Sequence, residues 1–74
     1  MRRYRNLGGN SGVSSYEIGK DRIVVTFSSN ISYEYTYSST TVDHIENMKV
    51  LAQNGQGLNS YINKYVKKGY SRIL

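Results

Sequence analysis

The 74-residue chain has no cysteine. That excludes a disulfide framework and a thiolate metal site, and it fits a reducing compartment. One histidine and five carboxylates are poor material for a metalloenzyme, so no metal and no cofactor is expected. Long apolar runs are missing as well: nothing approaches the roughly 20 consecutive apolar residues of a membrane span. The start, Met1-Arg2-Arg3-Tyr4-Arg5, is basic like the n-region of a secretory signal. The stretch from Asn6 to Ser15 is mostly Gly, Asn and Ser, so no signal peptide is expected. These absences predict a single small, soluble, cytoplasmic domain. A chain of this length buries only about 60–65% of the surface that its unfolded form exposes, so every large apolar side chain counts.

Acids are absent from both ends. Residues 1–16 carry Arg2, Arg3 and Arg5, and residues 47–74 carry Lys49, Lys64, Lys67, Lys68 and Arg72. All the carboxylates (Glu17, Asp21, Glu34, Asp43 and Glu46) lie between, with Lys20 and Arg22. The net charge is +5. Basic clusters attract phosphates and anionic surfaces. The plainer reading is that excess charge keeps a small protein soluble.

What the chain does have is a strong period of two over Ile31–Tyr37. Ile31, Tyr33, Tyr35 and Tyr37 alternate with Ser32, Glu34 and Thr36, the pattern of a strand with one buried face. Val13 to Ile18 reads as a weaker strand, with Tyr16 and Ile18 on one side. Arg22 to Phe27 reads as a strong one, with Ile23, Val25 and Phe27 on one side and Val24 and Thr26 on the other. Gly19-Lys20-Asp21 and Ser28-Ser29-Asn30 supply the turns of an antiparallel meander. Gly8, Gly9, Gly12 and Gly19-Lys20 do not make a phosphate loop, because Asp21 follows the lysine and a strand follows that.

Two helices come next. Ser38-Ser39-Thr40-Thr41 offers N-cap oxygens, and Thr40 with Asp43 has capping-box spacing. The first helix is predicted over about Val42–Gln53, with Ile45, Met48, Leu51 and Ala52 on one side and Val42 at its edge. Asn54-Gly55-Gln56-Gly57 ends it. The second is predicted over about Leu58–Lys68, with Leu58, Tyr61, Ile62, Tyr65 and Val66 as its apolar stripe and Lys64, Lys67 and Lys68 opposite. Gly69 is placed past its end. The expected fold is α+β: three antiparallel strands followed by two helices packed on one face. The domain spans residues 13–69, between a flexible basic tail over 1–12 and a short tail over 70–74.

This β-β-β-α-α order, with Tyr33-Glu34-Tyr35 at its centre, resembles the KTSC domain family. That family is named for a domain at the C-terminus of some lysyl-tRNA synthetases, and it also occurs as small stand-alone bacterial proteins. Ile23-Val24-Val25-Thr26-Phe27, Ala52, Gly57 and Asn59-Ser60-Tyr61-Ile62 carry the rest of the likeness, over roughly residues 13–66. The family often has a proline before its first helix, where this chain has Ser39-Thr40-Thr41. The resemblance implies mostly a fold, with RNA binding suggested for the family. It marks Tyr33, Tyr35 and Asn59 as motif residues that are mainly structural, Asn59 as a cap or a partner of the preceding glycine loop.

Aromatic residues in line on a sheet invite base stacking. The helices need an apolar surface to cover, however, and this is the only one. The tyrosines are therefore expected in the core with their hydroxyls at the rim, Tyr37 being the most open. The candidates for phosphate contact are Arg2, Arg3 and Arg5 on the tail, Lys64, Lys67 and Lys68 on the helix, and Arg72. The competing reading makes them a solvated face and a solubilising tail. His44 is expected as a lone surface histidine, since catalysis needs a nucleophile and an orienting group beside it. Asp43 and Glu46 are explained by the positive end of the first helix. The functional expectation is a non-catalytic module that binds RNA or another nucleic acid through charge, with no small-molecule substrate. The alternative is a protein-interaction module with an acidic partner, an accessory of a phage or mobile element.

Overall fold

Ile23, Val25 and Tyr35 are almost completely buried, and the pairing of the strands puts them on one face as the period of two requires. The structure, a computed structural model, describes residues 2–7, 9 and 12–74. Its sheet has five antiparallel strands in simple chain order: β1 (Arg2–Arg3), β2 (Val13–Ile18), β3 (Arg22–Phe27), β4 (Ser32–Thr36) and β5 (Arg72–Ile73). The three central strands are those that the alternation predicts. The two outer ones correct the three-stranded expectation. They are two residues long, too short to show a period, and they fall in the stretches read as tails. The expected linker falls largely on Gly8, Asn10 and Ser11, which lie outside the described residues, as does Met1.

Strand β2 departs from strict alternation. A register shift between Val13 and Ser15 lets Val13 oppose Phe27 while Tyr16 opposes Val25. The bulge turns both Val13 and Tyr16 toward the core, where both are buried. Ile31 is expected inward but precedes β4 and is 42% exposed. The Ser28-Ser29-Asn30 turn closes through the N–H of Asn30 on the carbonyl of Phe27, at 2.9 Å. Asn30 adopts a left-handed conformation, φ 68°, which asparagine tolerates better than most residues.

Helix α1 runs over Val42–Asn54, and Ile45, Met48 and Ala52 are its buried residues. Its N-cap is Thr41, whose hydroxyl accepts the N–H of His44 at 3.2 Å. The cap thus sits one residue beyond the Thr40–Asp43 spacing. Gly55 ends the helix in the left-handed region, φ 74°. Helix α2 (Leu58–Tyr61) is one turn long and passes into a π-helical turn over Ile62–Val66. Leu58, Ile62 and Val66 are buried. Tyr65 is 53% exposed, not part of the apolar stripe. The wider i→i+5 winding of the π turn turns it off the inward face.

The helices cover the inner face of the sheet, and the core joins Tyr16, Ile23, Val25 and Tyr35 to Ile45, Met48, Leu58, Ile62 and Val66. Fully burying a side chain such as Ile23 or Leu58 contributes about 1.5–3 kcal/mol. The N-terminal segment belongs to this core: Tyr4 is buried, and its hydroxyl accepts the N–H of Leu58 at 3.2 Å. That contact caps α2, a role the sequence suggests for Asn59. The N-cap position itself is Gly57, which has no side chain to offer.

The outer face is sealed by charge. Glu34 is only 6% exposed and is held by Arg22 at 2.7 Å and Arg72 at 3.0 Å. Val24, in register between Glu17 and Glu34, is buried as well. The hydrogen bond from Arg22, then that from Arg72, holds the Glu34 carboxyl below its ordinary value, against the opposing effect of burial.

Candidate nucleic-acid interface

The tyrosine row of β4 has two unlike ends. At one end Tyr37 is latched: its hydroxyl donates to Glu46 at 2.7 Å. Lys49 pairs with Glu46 at 2.9 Å and lies 5.7 Å from the Tyr37 ring centroid. The bond to Glu46 is the main reason the Tyr37 phenol titrates above its usual range. Tyr33 and Tyr37 are both partly exposed, with Tyr35 buried between them, and the Tyr37 hydroxyl is held at the surface. A groove lies at the other end, beside Tyr33.

There a groove of about 310 Å³ is lined by Phe27, Tyr33, Tyr35, Ile62, Asn63, Lys67, Lys68 and Tyr70. Phe27 is the last residue of β3 and Tyr33 stands near the start of β4, so one hairpin brings both rings to the same end of the sheet. Tyr70 packs back from the segment before β5. The Phe27 and Tyr33 ring centroids are 5.5 Å apart at 87°, and those of Tyr33 and Tyr70 are 4.9 Å apart at 62°. Such edge-to-face contacts fix rings without closing them into a flat stack. Tyr35 forms the buried wall, its phenol pushed up to about 12 by burial and by the neighbouring Tyr33 and Tyr70. It stays neutral at ordinary pH, so it brings no negative charge.

Lys67 and Lys68 follow the π turn directly and line the groove with Asn63. No carboxylate lines the groove among the described residues. Neither lysine is in an ion pair among the described residues. Lys64, expected on the same face, lies apart and sits 5.4 Å from the ring centroid of Tyr65.

The other basic candidates are not brought to this groove. Arg2 and Arg3 pair with Tyr16 and Ser15 at the opposite edge of the sheet. Three strand spacings, about 14 Å, separate β1 from β4. A cleft of about 450 Å³ at that edge is lined by Arg2, Ile18 and Gln53, but also by Glu17, which opposes an anion. The Arg5 guanidinium donates to the Gln53 carbonyl at 2.7 Å, where a cation complements the end of α1. Arg72 is committed to Glu34.

His44 is not alone. Its Nδ1 lies 2.6 Å from the Tyr61 hydroxyl, which also accepts from the Asn47 amide at 3.2 Å. The Tyr65 ring stacks against the imidazole at 5.8 Å. The direction of the His44–Tyr61 bond follows the imidazole tautomer, since the phenol oxygen can accept from Asn47 and still either donate to Nδ1 or accept from it. The spacing of His44 and Tyr61, on two different helices, gave no sign of this pairing. Among the described residues there is no group of three or more His, Asp or Glu side chains that could hold a metal ion. Nor, among the described residues, is any helix long and apolar enough to cross a membrane.

No family model matches the chain, and neither a curated protein nor a solved structure matches it.

Proposed function

We propose that this protein is a small, non-enzymatic, cytoplasmic nucleic-acid-binding module of the KTSC type, and that RNA is its ligand. The observation that carries the reading is the juxtaposition of Lys67 and Lys68 with an aromatic groove that, among the described residues, has no carboxylate in its lining. Lysine ammonium groups neutralise phosphates and release counterions, which drives association without reading sequence. The other arginines are drawn into the fold or stand at the far edge, so the helix end carries the contact and the N-terminal arginines do not. The likeness of Tyr33-Glu34-Tyr35 and Asn59-Ser60-Tyr61-Ile62 to KTSC domains supports the same reading.

A titration with fluorescein-labelled RNA at two salt concentrations tests it. Phosphate binding gives affinity that falls steeply with salt, and a shallower slope for a Lys64→Ala/Lys67→Ala/Lys68→Ala variant. An affinity that ignores salt contradicts the proposal. Failure to bind at low salt favours the second reading, an interaction module with an acidic protein partner. That reading draws on the exposed Tyr65 beside Lys64, since tyrosine is enriched where proteins meet.

A further inference from the structure

We propose that the groove between Phe27, Tyr33 and Tyr70 takes an unpaired base, so that the ligand is a single strand whose flanking phosphates lie against Lys67 and Lys68. This rests on the nucleic-acid reading above and names its substrate class.

Three features of the groove carry it. The first is ring geometry. Phe27, Tyr33 and Tyr70 hold one another edge to face, at 87° and 62°, which makes a fixed aromatic cluster along the groove and not a closed parallel stack. A flat heteroaromatic ring lying in the groove beside this cluster finds aromatic surface to stack on or meet edge-on. The second is size. A volume of about 310 Å³ is at the lower bound of roughly 300 Å³ for small-ligand sites, which suits one planar group and not an extended molecule. The third is polarity. The Asn63 amide carries both donors and an acceptor, and tyrosine hydroxyls can play either part. Together they meet the mixed edge of a base.

A duplex cannot use such a groove, because its bases are stacked on each other and only their edges reach the surface. Single-stranded segments present unstacked bases to aromatic side chains. The lysines alone would hold either kind of strand. The rings beside them make the difference.

The test uses the full chain and three fluorescein-labelled probes at one low salt concentration. They are a ten-nucleotide oligouridylate, a ribose-phosphate strand of the same length without bases, and a duplex of the oligouridylate with oligoadenylate. Base stacking predicts that the oligouridylate binds at least about fivefold more tightly than the abasic strand and the duplex. Tyr70→Leu, which keeps apolar bulk and removes the ring, is expected to bring the oligouridylate down to the abasic level and leave the abasic strand unchanged. Tyr70→Phe is expected to retain the difference. Equal binding of all three probes by the native chain overturns the inference. If that equal binding also weakens with salt, the phosphate reading stands without it. Absence of binding to every probe overturns both. The comparison of probes on the native chain does not depend on whether a variant folds.

Discussion

The hydroxyl of Tyr4 accepts the N–H of Leu58 across 54 positions of sequence. One buried phenol therefore ties the N-terminal strand to the start of the last helix, where the chain has no capping side chain of its own. Tyr4→Phe keeps the ring and leaves the Leu58 donor without a partner in a buried place. The expected cost is about 1–2 kcal/mol, which lowers the thermal midpoint of a domain of this size by roughly 4–16 °C. Differential scanning calorimetry measures it. Removing residues 1–7 takes away the ring as well and costs more.

Gly55 is packed against Arg5 so closely that a Cβ at Gly55 would come within 2.6 Å of the Arg5 Cβ. Gly55→Ala therefore meets both a left-handed backbone, φ 74°, and a clash. Gly57→Ala meets only the backbone penalty, since its nearest neighbour, Leu51, is 3.7 Å away. Urea denaturation is expected to show a loss of about 1 kcal/mol for Gly57→Ala and a larger loss for Gly55→Ala. Combining Gly55→Ala with Arg5→Gly is expected to cost less than the two single losses together, because the clash is gone.

Glu34 makes the fold sensitive to acid. Its folded-state carboxyl lies below its ordinary value of 4.5, chiefly through the hydrogen bond from Arg22. A depressed carboxyl contributes stability above the unfolded value, and that contribution is lost as pH falls through the folded value. The midpoint should hold steady from pH 7 to about pH 5 and fall below 4.5. Glu34→Gln is expected to lower the plateau at pH 7 and to reduce the fall below pH 4.5. Thermal melts at stepped pH report both. An unaltered acid limb in Glu34→Gln would assign the sensitivity to other carboxylates.

Most of the central fold was legible in the sequence, because periodicity is a local signal. Ile23, Val25 and Tyr35 marked the inner face, and Ile45, Met48 and Ala52 marked the helix over them. The edges were not legible. Arg2–Arg3 and Arg72–Ile73 are too short to show a pattern, and their place is set by pairing with distant strands. Glu34 read as a solvated residue, since its partners Arg22 and Arg72 stand 12 and 38 positions away. Tyr65 fell on the apolar stripe of an ideal helix, and the π turn moved it off. The candidate site was half visible. Lys67 and Lys68 stood out by charge, whereas their meeting with Phe27, Tyr33 and Tyr70 depends on the hairpin and on the chain folding back after Gly69.

We propose RNA binding at the end of the sheet where Tyr33 and Lys67 line one groove. Amide and tyrosine-ring chemical shifts, followed during titration with the ten-nucleotide oligouridylate, test it most directly. Changes are expected to concentrate at Phe27, Tyr33, Asn63, Lys67, Lys68 and Tyr70, with Arg2, Arg3 and Tyr37 unmoved. Changes gathered at Arg2 and Arg3, or around His44 and Tyr65, would contradict it.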